Sequence, residues 1–290
     1  MSNTRCVVIL ISQCLMAALS APAQEGPILR PLGKDWAGDE PRPRPIGIGV
    51  TYYYQKQDYS LTRVAAGGAG AMAALGALGG GGGPAMVPDS DGMVTIPDAL
   101  LTGIQADNYV HEVNVKIDAW ILPFLNVFGL VGSVDGETEA VGLPLPLPPS
   151  LKIDYDGVVY GGGATVAGGV GAVFGSFTAT YTGTSLDGST SSLSAWIFAP
   201  KAGVRLAGVA EGVDLSVWIG AVYQELEERQ EGRLDATGLG PVQYDVDFEQ
   251  DDAWNYAIGI SATLNTAWQI DLEAGFGNRT HAAAALSRRF

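Results

Sequence analysis

Four acids stand at alternate positions late in the chain: Asp245, Asp247, Glu249 and Asp251, interleaved with Tyr244, Val246 and Phe248. In an extended chain, successive side chains point to opposite faces, so these carboxylates share one face. They lie in segment 225–252, which carries ten acids against Arg229 and Arg233, a local charge of −8 (2 − 10). Three chemistries fit the pattern. A solvated loop face needs nothing beyond the charge itself. A ring of carboxylates at a pore mouth lowers the barrier to cations. A calcium loop would begin Asp245-x-Asp247-x-Glu249, but Gln250 stands where that loop needs glycine, and no metal site is assigned.

Catalytic chemistry has little to work with. Both cysteines, Cys6 and Cys14, lie in the apolar N-terminal segment, so the rest of the chain has no thiol for nucleophilic, redox or zinc-finger chemistry. His111 and His281 are the two histidines, and neither sits in a motif that joins it to a nucleophile. The expectation is therefore no enzyme, no catalytic residue and no cofactor.

A second set of charges is spread along segments of strict alternation. In 109–122 the odd positions are Tyr109, His111, Val113, Val115, Ile117, Ala119 and Ile121, and the even ones include Glu112, Asn114, Lys116 and Asp118. Segments 213–226, 251–264 and 267–277 alternate in the same way. Period two is the mark of a strand with two unlike faces. Ten such strands are predicted: 46–58, 109–122, 125–134, 153–167, 172–184, 190–206, 213–226, 251–264, 267–277 and 281–290, with eight or twelve as the neighbouring even solutions. Their connections alternate between short and long, except the ninth.

The parity places Glu112, Lys116, Asp118, Lys201, Arg205, Asp214, Asp271, Glu273 and Arg289 on one common face. Opposite them lie apolar residues, with aromatic side chains near strand ends, among them Tyr52, Tyr54, Tyr223, Trp254, Trp268 and Phe276. Amphipathic rings suit the two lipid–water interfaces. If the polar face is the interior, the charges must be paired or hydrated, because a dry unpaired ion costs several kcal/mol.

The remaining segments set the context. Residues 1–23 combine Arg5, an apolar run from Cys6 to Leu19 and Ala21-Pro22-Ala23, which reads as a signal peptide cleaved after Ala23. Loss of Arg5 leaves 15 basic residues (16 − 1) against 31 acids, a mature charge of −16. Such an acidic chain is no nucleic-acid binder, since phosphate contacts need clustered Lys and Arg. Segment 24–45 holds Pro27, Pro31, Pro41, Pro43 and Pro45 and reads as an extended periplasmic arm. Residues 46–290 form the barrel. Its stretch at about 60–108 is Gly/Ala-rich, with a run from Gly79 to Gly83, too poor a helix former to span a membrane.

With the signal, the rhythm of strands and loops, and the closing Leu286-Ser287-Arg288-Arg289-Phe290, residues 46–290 resemble the small outer-membrane β-barrel proteins of diderm (Gram-negative) bacteria. The resemblance is to the class and to no particular family. It implies an all-β, closed antiparallel transmembrane barrel in the outer membrane, with Phe290 read by the assembly machinery and lipid and lipopolysaccharide as partners. Arg288 departs from the class, since it takes the parity of Leu286 and Phe290. A narrow channel or transport-related barrel for ions or small solutes is the functional expectation. The alternatives are a surface barrel whose loops bind a partner or lipopolysaccharide, and a lipid-modifying or proteolytic barrel. Oligomeric state is not encoded in these patterns.

Overall fold

The computed structural model describes residues 44–68, 88–90, 92–96, 105–141, 150–186, 192–227, 229–236, 240–249 and 253–290. The strands in chain order are β1 (Ile46–Gly67), β2 (Met93–Thr95), β3 (Gln105–Leu122), β4 (Leu125–Val141), β5 (Ser150–Val170), β6 (Val173–Leu186), β7 (Ser192–Ala210) and β8 (Val213–Glu227). They continue with β9 (Arg229–Ala236), β10 (Gly240–Glu249), β11 (Trp254–Leu264), β12 (Trp268–Gly277) and β13 (Arg279–Arg289). Every pairing is antiparallel. The wall runs β13, β12, β11, β8, β7, β6, β5, β4, β3, β1, and a β13–β1 pairing closes it into a ten-stranded barrel.

Closure removes both sheet edges, so the backbone of the wall is paired without help from water. The faces are inverted relative to a water-soluble protein. Ile219 is 68% exposed and Ile117 58%, whereas Asn255, Arg279, His281, Asp118 and Gln57 are buried. An apolar outer belt around a polar interior is the surface a lipid bilayer requires. On the outside an aromatic row crosses four strands: Tyr181 against Trp196 (5.1 Å between centroids), Trp196 on Phe198 (6.0 Å), Phe198 on Tyr223 (6.1 Å) and Tyr223 on Trp254 (5.2 Å). His111 joins this outer surface, with Nδ1 2.8 Å from the Tyr52 hydroxyl. The Arg288 guanidinium also stays among rings, 5.4 Å from the Trp268 centroid and 5.1 Å from Phe290, which reconciles a cation with an apolar parity.

One end of the barrel carries tight turns: β3–β4 at Pro123-Phe124, β5–β6 at Gly171-Ala172, β7–β8 at Glu211-Gly212 and β11–β12 at 265–267. Gly171 and Gly212 take positive φ angles of 60° and 69°, and Asn265 and Thr266 take 50° and 58°. Two consecutive left-handed residues give the twist of a type I′ hairpin, here held by a β-branched Thr266.

At the other end several strands outrun the membrane. Strand β1 reaches Gly67, nine residues beyond the expected limit at 58, and β5 begins at Ser150. Past the barrel, β1 finds new partners on its two edges. Ser60 to Gly67 pair with β10, as in Ala65↔Asp245, while Ala65 to Gly67 pair with β2, as in Ala65↔Thr95. Strand β9 extends this small sheet by pairing with β10. Between the outer parts of β4 and β5, Lys152 meets Glu137 at 2.6 Å. That hydrogen bond lifts the Lys152 ammonium above the usual lysine range. The ninth connection is short, with Asn278 alone between β12 and β13. Gly277 enters it at φ 126°, and a Cβ there would sit 2.8 Å from Asn255 Oδ1.

Candidate functional site: the polar lumen

Odd positions of β1, β5, β7, β11, β12 and β13 and even positions of β3, β4, β6 and β8 face the lumen, as the cross-strand register requires. The charges on these faces fall into groups at different depths.

Near the tight turns, Asp118 Oδ1 accepts hydrogen bonds from Arg289 Nη2 at 2.7 Å and from Asn126 Nδ2 at 2.7 Å. Arg289 Nε also donates to the Arg44 carbonyl at 3.0 Å. Gly47 lies against this pair, and a Cβ there would collide with the Asp118 carboxylate. Arg205 Nη2 donates to Asp214 Oδ2 at 2.5 Å, and the Gly208 amide donates to Asp214 Oδ1 at 2.8 Å. Asp271 accepts from the Ser261 hydroxyl at 2.6 Å and from Gln269 Nε2 at 2.9 and 3.0 Å. The Lys116 ammonium lies 5.4 Å from the Phe128 ring centre.

Deeper in the barrel one carboxylate is shared. Glu273 Oε2 accepts from Lys201 Nζ at 2.7 Å, and Glu273 Oε1 stands 3.0 Å from His281 Nε2. Lys201 sits 3.8 Å from the Trp218 ring centre, so its charge is held between a carboxylate and a π face. The other His281 nitrogen, Nδ1, is 3.1 Å from Asn255 Nδ2, and the ring is 5.6 Å from that of Tyr53. Tyr53 donates to Gln55 Oε1 at 2.7 Å, and Gln55 donates to Gln57 at 3.0 Å. Arg279 donates to Gln224 Oε1. Both His281 nitrogens thus have partners, Glu273 at Nε2 and Asn255 at Nδ1.

On β3, two strands from His281, Glu112 Oε1 accepts from Asn114 Nδ2 at 2.7 Å. Beside Glu112 and the His281 group lies a cavity of about 330 Å³, lined in part by Tyr53, Glu112, Val159, Thr182, Ile197 and Glu273. Among the described residues, no group of three or more His, Cys, Asp or Glu side chains is arranged to hold a metal ion.

Six of the nine charges singled out in the sequence thus meet in three pairs: Asp118 with Arg289, Lys201 with Glu273, and Arg205 with Asp214. Asp245, Asp247 and Glu249 are placed differently from a simple outward continuation of segment 251–264. They form strand β10, which pairs with β1, whereas β11 pairs with β8 and β12. Asp251 lies outside the described residues. Tyr53, Trp218, Arg279 and His281 are lumen residues to which the sequence reading gave no inward role. A signal existed for two of them: stepping back from Arg289 by twos reaches His281 and Arg279 on the inward face of the last strand.

Solved structures similar to this fold include bacterial outer-membrane barrels. The translocator domain of the autotransporter NalP from Neisseria meningitidis is 8% identical, with a TM-score of 0.40 over 98% of this chain and 96% of that one. The outer membrane protein OprG from Pseudomonas aeruginosa is 10% identical, with a TM-score of 0.37 over 86% and 98%. The beta domain of the Bordetella autotransporter BrkA is 11% identical, with a TM-score of 0.39 over 84% and 99%. No protein-family model and no curated protein matches the chain. Likeness at this level carries no activity from those proteins to this one.

Proposed function

We propose that this chain is an integral outer-membrane barrel whose lumen serves as a narrow, gated path for ions or small solutes. The observation that carries the reading is the sharing of Glu273 between Lys201 and His281 beside a cavity. A barrel that only anchored loops would need nothing inside except packing. A carboxylate with two partners can release one and keep the other, so opening a hydrated path need not leave Glu273 without a partner. Water or a solute entering the cavity then meets polar groups already in place. The reading includes no catalysis.

Conductance across planar bilayers tests this. The expected result is small, flickering channels whose open time lengthens in Trp218→Ala, because removing the indole frees Lys201. Silence in both wild type and variant overturns it. In that event the sheet of β2, β1, β10 and β9 beyond the barrel favours the second reading, a surface barrel that presents its loops to a partner or to lipopolysaccharide.

A further inference from the structure

Two lumen carboxylates, Asp271 and Glu112, have no cation beside them among the described residues. Asp271 is satisfied by Ser261 and Gln269 and does not border the cavity. Glu112 receives a single hydrogen bond, from Asn114, and does border it. The other lumen carboxylates near it in the fold already have cations: Glu273 has Lys201, and Asp118 has Arg289. A carboxylate removed from bulk water stays ionised only with a compensating charge or several donors, and otherwise takes up a proton. Among the described residues Glu112 has one donor and no cation, and it borders the cavity.

The surroundings of that space say what kind of charge would complete it. Tyr53 is the direct cross-strand neighbour of Glu112 on the same lumen face and also borders the cavity, with its hydroxyl turned to Gln55. An aromatic face next to an anion is a recurrent setting for an organic ammonium. The far wall is built from Val159, Ile197 and the hydroxyl row Thr180, Thr182 and Thr184. A calcium-like ion needs six to eight oxygen ligands, and among the described residues no group of three or more His, Cys, Asp or Glu side chains is arranged to hold a metal ion. At about 30 Å³ for each water-sized group, a cavity of about 330 Å³ holds roughly ten heavy atoms.

We infer that this cavity binds a small primary ammonium compound with a short apolar body, its charged head between Glu112 and Tyr53 and its body against the β5–β7 wall. The inference deepens the reading of the lumen as a solute path by naming the class of solute, and it rests on that reading.

Calorimetric titration of the full chain in a neutral detergent tests it, with n-hexylammonium chloride as the probe and empty micelles as the reference. Hexylammonium should bind at least tenfold more tightly than n-hexanol or hexanoate. Glu112→Gln, which keeps the shape and the Asn114 contact, should weaken hexylammonium at least tenfold and leave hexanol unchanged. Equimolar KCl should not displace the amine. Thr182→Trp fills the cavity from the opposite wall and should abolish binding without touching Glu112, which covers the case of a poorly folded Glu112 variant. Equal binding of hexanol, an unaltered affinity in Glu112→Gln, displacement by equimolar potassium or retained binding in Thr182→Trp each overturns the proposal. Amine binding in micelles with no conductance in bilayers would sink the path reading alone, and conductance without amine binding would sink this inference alone.

Discussion

The Trp218 indole occupies the space that any side chain at position 259 would need: a Cβ built on Gly259 runs into the Trp218 ring and approaches the Leu272 carbonyl at 2.7 Å. The same ring carries Lys201 on its face. Gly259→Val should therefore push the indole off Lys201 and widen the lumen there. Overpacking of this kind costs about 1–3 kcal/mol, so the temperature at which the folded band is lost on gels should fall. Channel conductance should rise at the same time. A stability loss with unchanged conductance would show that Trp218 does not bound the path.

Lys201→Met leaves Glu273 with His281 as its remaining partner. Losing a charge-assisted hydrogen bond costs about 2 kcal/mol. The uncovered carboxylate should shift selectivity toward cations, and Glu273→Gln should shift it the other way. Reversal potentials under a KCl gradient read both shifts, and the same sign in both variants would refute the assignment.

Asp118 and Arg289 form the more deeply buried pair, with side chains 3% and 12% exposed. Removing either partner strands a buried charge, at about 3–5 kcal/mol. Asp118→Asn and Arg289→Gln should each lower the urea midpoint strongly, while the double variant should recover more than half of the combined loss. Simple additivity of the two single effects would argue against direct coupling.

Ile219 tests the lipid face. An arginine placed near the bilayer midplane of a barrel costs about 2–4 kcal/mol. Ile219→Arg should reduce spontaneous insertion into lipid vesicles by a factor of ten or more. Insertion equal to wild type would place Ile219 away from the hydrocarbon.

Asp245, Asp247 and Glu249 share a strand beside β1, beyond the end of its pairing with β13. Fields from exposed carboxylates reach about 10 Å at 0.1 M salt. Changing all three to Asn should lower cation selectivity most in dilute salt and little in concentrated salt. A potential unchanged at every concentration would leave them as a solvated surface.

The wall of the barrel was legible because lipid outside and polar contacts inside impose opposite demands on neighbouring residues, and period-two alternation records them, as in 109–122. Beyond the membrane that contrast fades, so the first predicted strand ends at 58 where β1 runs on to Gly67, and the ten predicted strands include neither β2 nor the β9–β10 hairpin. Parity placed Lys201 and Glu273 on the inward face, yet nothing local could match them. They lie 72 positions apart, and their meeting depends on the tilt and stagger of the strands. His281 was passed over because a lone histidine among alanines gives no pattern by itself.

The edge of β1 that closes the barrel changes partner partway along. From Gly47 to Gln57 it is bonded to β13, and from Ser60 onward to β10, a strand that enters the sheet from between β8 and β11. The far end of the seam is thus splinted by a segment anchored elsewhere in the cylinder, whereas its near end, beside Ile46 and Phe290, has no added strand among the described residues and is bridged by the Arg289–Asp118 side-chain pair instead. Unzipping accordingly has a direction. Backbone amides around Gly47 and Gly49 should exchange with deuterium sooner than those around Gln55 and Gln57, and a pulling force or a chaperone that parts the first strand from the last would find its purchase at the tight-turn end.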